Sequence, residues 1–188
     1  MSRQTILFGT NINQAQGDAA RRQRRAAATL IDVSAAAPIN LQFSDGADLC
    51  EIDGFETQPI LQLDSNLVTG QRGPRKPIVS EMFTRLASRA IERGARYFGF
   101  SNGDILLTPT AVERVAATEH LAYVIARTDV DATGAPDPSP LLYGTDVFVI
   151  DASWWIAHQH RFRRMWSARR CGTTSTQRCS SAWLAGSC

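Results

Sequence analysis

The chain has 188 residues, 44% of them hydrophobic and 20% charged, the size and make-up of one globular domain with a buried core. Its net charge of +2 rests on the tail: setting aside the four arginines of residues 164–188 leaves 16 basic against 18 acidic residues, which excludes a broad nucleic-acid footprint. No apolar run approaches the roughly 20 residues of a membrane span, so no stable membrane insertion is expected; the apolar stretch at 5–8 is too short for a signal peptide, which gives a cytoplasmic address.

Residues 4–8 read as a first buried strand, closed by Gly9-Thr10-Asn11. An Ala/Arg-rich helix is expected over 18–30 with Asp18 at or near its cap, and its run Arg21-Arg22-Gln23-Arg24-Arg25 reads as a solvated face. Residues 39–43 alternate as a second strand, and 59–63 offer a short third one. Gly and Pro make 69–75 a loop, and Pro77 suits an early helical position. The clearest helix covers 78–93, where Val79, Met82, Phe83, Leu86 and Ala90 recur at steps of three and four and Gly94 ends the run. A strand at 96–100, a turn at 101–104, an extended continuation at 105–107 and a short helix at 109–118 follow. A strand at 121–127, a Pro-rich loop at 132–140 and a buried strand at 147–150 then lead into a helix starting near Ser153. Alternating strands and helices predict an α/β fold: a mainly parallel open sheet with helices on both faces.

Residues 164–188 break this pattern. They hold Trp166 and Trp183 and three of the four cysteines, yet show no helical or strand period. The cysteine spacings match no zinc pattern. A GC-rich back-translation read from the old third base permits a segment containing Val-Trp-Asp-Asn-Val-Tyr. The expectation is therefore a domain over 1–163, incomplete at its C-terminus, followed by a non-native tail produced by a frameshift; a native but unusual tail is the alternative.

The segment with most chemistry is Ser101-Asn102-Gly103-Asp104, an acidic turn at the carboxyl end of an expected buried strand. A carboxylate there can hold Mg²⁺ or Mn²⁺, hard cations that take oxygen ligands. It can equally close a turn, with Asn102-Gly103 supplying positive φ, and from spacing alone the turn reading stands ahead.

The strand, Ser-Asn-Gly-Asp and the following Ile105-Leu106-Leu107 resemble the DxD region of glycosyltransferases with the A-type fold, in the Asn-x-Asp variant. Tyr143-Gly144-Thr145-Asp146 before Val147-Phe148-Val149-Ile150-Asp151 and Trp154-Trp155 is similar to the acceptor-side segment of that family. The resemblance implies a nucleotide-diphospho-sugar transferase-like fold over about 4–163. It implies Asp104 as the Mn²⁺ or Mg²⁺ ligand and Asn102 in place of the motif's first acid. It also implies Thr10 and Asn11 at the nucleotide, Arg72, Arg75 and Lys76 at the diphosphate, and Asp146 facing the acceptor or donor sugar.

Each role has a plainer counterpart: a solvated basic loop for the three cations, a turn or capping acid for Asp146, and core packing for Trp154-Trp155. In this family a later Trp-Asp-Asn type segment often supplies the base, and this chain has Arg170-Cys171-Gly172 there instead. The function expected is a glycosyltransferase-like protein that binds a nucleotide-sugar donor with a divalent metal, acts on an acceptor left open, and transfers little or no sugar. The alternatives are a non-catalytic nucleotide- or sugar-binding module and a plain structural domain.

Overall fold

The computed structural model describes residues 6–46, 49–70, 72–128 and 145–162. In chain order these form β1 (Ile6–Thr10), α1 (Gly17–Val33), β2 (Ile39–Phe43), β3 (Glu56–Leu61), α2 (Ser65–Thr69) and α3 (Val79–Glu92). Then come β4 (Tyr97–Ser101), α4 (Pro109–Ala116), β5 (Ala122–Ala126), β6 (Thr145–Asp151) and α5 (Ala152–His158), with a 3-10 turn at Gln159–Arg161. The expected Pro-rich loop at 132–140, Tyr143-Gly144 and the tail at 164–188 lie outside the described residues.

The strands make one sheet in the order β3-β2-β1-β4-β6-β5. β1 runs parallel to β2 and β4, and β2 parallel to β3, while β6 is antiparallel to both β4 and β5. The expected α/β sheet is thus mostly parallel but mixed. Every residue of β1, β2 and β4 is buried, as befits parallel strands covered on both faces.

One face packs on α3 and α5: Met82, Phe83, Leu86, Ala90 and Trp155 meet Leu7, Ile39, Leu41, Phe98 and Phe100. The Phe83 ring lies 5.3–5.7 Å from the rings of Phe98, Phe100, Phe148 and Trp155, spacings typical of attractive aromatic contacts. On the other face Leu30 of α1 and Val115 of α4 pack with Ile6, Phe8, Tyr97, Val147 and Val149. Helix-to-sheet approach is close enough that a Cβ at Gly9 would stand 2.2 Å from Leu86 Cδ2, so any larger residue there would force the buried Leu86 side chain to move.

Some details differ from expectation, each for a local reason. Residues 105–107 extend no strand; Leu107 turns down to be 3% exposed, and its N–H donates to Thr29 Oγ1 of α1 at 3.1 Å. α2 is an unexpected single turn, nucleated by the Asp64 carboxylate accepting from the Leu67 N–H at 2.8 Å. Pro77 precedes α3, because residue 77 is bridged to Asp64. Among the described residues no helix is long and apolar enough to cross a membrane.

Candidate functional site

α1 carries the chain from β1 to β2 on one side, while β4 lies on the other side of β1. Connections therefore diverge at the β1/β4 boundary, and in open α/β sheets the crevice outside the carboxyl ends at such a boundary is where ligands bind. Four of the expected site residues stand there: Thr10 and Asn11 leaving β1, Asn102 and Asp104 leaving β4. The two loops touch, since a Cβ at Gly103 would come within 2.7 Å of Ile12 Cγ1.

Two buried amides on β2 fasten the loop after β1. The Ile12 N–H donates to Asn40 Oδ1 at 2.9 Å, and Gln42 Nε2 donates to the Ile12 carbonyl at 2.8 Å. Asn11 is itself drawn inward, its Nδ2 donating to the Leu41 carbonyl at 2.6 Å. Thr10 is 0% exposed, and its Oγ1 has no hydrogen-bond partner among the described residues. A buried hydroxyl left so costs about 1–3 kcal/mol, a penalty that a ligand oxygen or amide at this strand end would relieve.

The turn after β4 is anchored from the reversed strand. Asp146 lies at the start of β6, and because β6 runs antiparallel its first residues share the edge with the end of β4. The Asn102 N–H donates to the Asp146 carbonyl at 3.1 Å, and Asn102 Nδ2 donates to Asp146 Oδ1 at 2.7 Å. Arg127, just past β5, donates to Asp146 Oδ2 at 2.8 Å, with side-chain exposures of 24% for Arg127 and 13% for Asp146. Each carboxylate oxygen of Asp146 thus already accepts a bond from the protein. Asp104, by contrast, is exposed and makes no hydrogen bond or ion pair among the described residues.

The basic loop stands apart. It follows β3, three strand spacings from β4, or about 14 Å across the sheet. Arg75 is bound in place: its Nε donates to Asp64 Oδ2 at 2.9 Å, its Nη1 donates to Asp45 Oδ2 at 2.6 Å, and its guanidinium covers the Phe43 ring at 4.1 Å. Lys76 is held by its backbone, bonded to Ser65, while Arg72 is exposed. The first turn of α3 carries Glu81, whose carboxylate accepts from the N–H groups of Gln62 and Leu63. The structure sets Thr10, Asn11, Asn102, Asp104 and Asp146 along one edge of the sheet around β1, β4 and β6, and leaves Arg72, Arg75 and Lys76 beyond β3.

Arg127, Asn40 and Gln42 went unread in the sequence. Asn40 and Gln42 alternate with Ile39, Leu41 and Phe43, which read as a strand with one polar face; in fact both faces are buried, so the two amides had to be bonding something. Trp155 is 2% exposed in the core, its Nε1 donating to Thr84 Oγ1 at 3.2 Å, and Trp154 stacks on His158 at 5.0 Å.

Mg²⁺ and Mn²⁺ bind through one or two carboxylates completed by substrate phosphates and water. The exposed Asp104 fits that pattern, although no group of three or more His, Cys, Asp or Glu side chains converges among the described residues. A cavity of about 140 Å³ opens on the opposite, amino edge between Ile6, Leu7, Ala35, Ala36, Arg93, Gly94 and Ala95. Its one charged side chain, Arg93, is already engaged by Glu56 and the Ala37 carbonyl, so that cavity offers little chemistry. No family model matches the sequence, and no curated protein matches it either.

Proposed function

We propose that this is a glycosyltransferase-like domain that binds a nucleotide-activated sugar together with Mn²⁺ or Mg²⁺ and transfers little or no sugar. One observation carries the reading: an exposed, uncommitted acid, Asp104, on a turn at the β1/β4 switch point. The unpartnered hydroxyl of Thr10, at the end of the neighbouring strand β1, supports a ligand at the same edge.

In this reading Asp104 would hold the cation, whose charge would offset that of the diphosphate. Thr10 and Asn11 meet the nucleotide. Arg72 and Lys76 approach only the outer part of the ligand, and Arg75 reaches it only by leaving its two aspartates. Poor transfer follows from the same edge. Among the described residues, the acids next to the strand ends other than Asp104 are committed: Asp45 and Asp64 to Arg75, Asp146 to Arg127 and Asn102. An acid occupied by a metal or an arginine is a poor base for an acceptor hydroxyl.

That same single free carboxylate favours a second reading, a nucleotide- or sugar-binding module without turnover. Calorimetric titration of nucleoside-diphosphate sugars with and without Mn²⁺ tests both. Mn²⁺-dependent binding that Asp104→Ala abolishes is expected, and slow donor hydrolysis favours the transferase reading over the module. No binding by the wild type at millimolar donor would sink both.

A further inference from the structure

Asp146 can do more than close the edge of the sheet, and what it does follows from the chemistry of amides. An ionised carboxylate accepts hydrogen bonds and cannot donate them, whereas a side-chain amide has a donating end and an accepting end. Asp146 Oδ1 sits 2.7 Å from the Asn102 amide, so the nitrogen of that amide must face it and the oxygen must face away. The rotation is further fixed because the Asn102 N–H is bonded to the Asp146 carbonyl at 3.1 Å, and because Arg127 holds the other carboxylate oxygen at 2.8 Å. Asn102 Oδ1 accepts no hydrogen bond among the described residues. The turn therefore offers an oriented amide oxygen two residues before the Asp104 carboxylate.

We infer that Asp146 is a positioning residue, braced by Arg127, that turns the Asn102 amide so its oxygen joins Asp104 as a ligand for a hard divalent cation. This rests on the reading that Asp104 binds a cation. It restores two oxygen donors to a turn that carries one acid. It also gives the turn a sign preference: with the amide reversed, an N–H would face the site and favour an anion over a cation. The Arg127–Asp146 pair is only partly buried, with side chains 24% and 13% exposed; a partly exposed ion pair adds little stability, and its clearer effect is to hold the carboxylate in place.

Paramagnetic broadening of backbone amide NMR signals by Mn²⁺ alone reads the site directly, even at millimolar affinity. In the wild type the signals of Gly103, Asp104 and Ile105 should broaden first, and Asp104→Ala should remove the effect. Asp146→Asn supplies a donor to the Asn102 oxygen and lets the amide reverse, so equal broadening should require about tenfold more Mn²⁺, the usual scale for loss of an outer-shell partner. Asn102→Ala should weaken binding similarly. The double exchange N102D/D146N puts the amide where the carboxylate was and the reverse; it should return affinity to the wild-type level or above. Unshifted spectra away from 101–105 check that each variant is folded. If Asp104→Ala abolishes broadening but Asp146→Asn and Asn102→Ala leave it unchanged, the positioning role is wrong and the cation site stands. No broadening in the wild type overturns the cation site and this assignment together.

Discussion

Asp64 carries its charge at 5% exposure, where burial raises a carboxyl pKa, yet it is held below the usual range. Hydrogen bonds from the backbone of Leu67 and Asn66 and from Arg75 outweigh the desolvation. A depressed folded-state pKa contributes stability that is present above the unfolded value, about 4, and is lost as pH falls through the folded value. Asp64→Asn should therefore lower the urea midpoint at pH 7 by the equivalent of about 1–2 kcal/mol while changing it little near pH 2. An equal loss at both pH values would mean that the charge of Asp64 contributes nothing. Arg75 shows why such residues are hard to read in a sequence. Its cation stood out in a Gly/Pro loop, but the acids that claim it sit 11 and 30 residues away, and only the folded chain brings them to it. The place of Asp104 on an exposed turn after β4 was legible because it is local: strand, turn, acid. Asp146 was legible as an acid near the site, but its partners Asn102 and Arg127 are 44 and 19 residues distant.

At the scale of elements, periodicity did most of the work. The apolar steps of 78–93 gave α3 to within a residue at either end, and β2 fell on 39–43 as read. α2 escaped because a five-residue turn has no period to detect, and its cap is the only signal. Close approach between elements was also invisible. Gly99 looks like any glycine in Tyr-Phe-Gly-Phe-Ser, yet a Cβ there would stand 2.3 Å from Phe8 Cε1 on the neighbouring strand. Phe8 is 0% exposed and cannot swing clear. Gly99→Ala is expected to destabilise by about 2 kcal/mol, or roughly 5 °C in Tm, read by scanning calorimetry. A Tm within about 1 °C of wild type would mean that the core can repack around the added methyl.

For the whole molecule, alternation of strands and helices identified the α/β class and the two helical layers, but it could not give the direction of β6, because strand direction depends on where the preceding connection returns. β5 shows the effect of position in the sheet. It pairs with β6 alone among the described strands, and its residues run exposed, half-buried, exposed along Ala122–Ala126, with Val124 at 55%. Strands at such an edge open more readily than strands locked on both sides. Amide hydrogen exchange should run on the order of 100-fold faster in β5 than in β1 and β4. Equal protection would show that β5 is covered and that the sheet opens only as a unit.

The reversed strand also sets an order on how the molecule can be made. β6 is inserted between β4 and β5, although both precede it in the chain. As the polypeptide leaves the ribosome, β1 to β4 can pair as they emerge, but β4 keeps a bare flank and β5 has no place in the sheet until residue 151 is free. The crevice is finished in the same step, because the residue that ties down the Asn102 turn arrives on that late strand. Any nascent chain halted before it would hold Asp104 on a loose loop beside an open sheet edge.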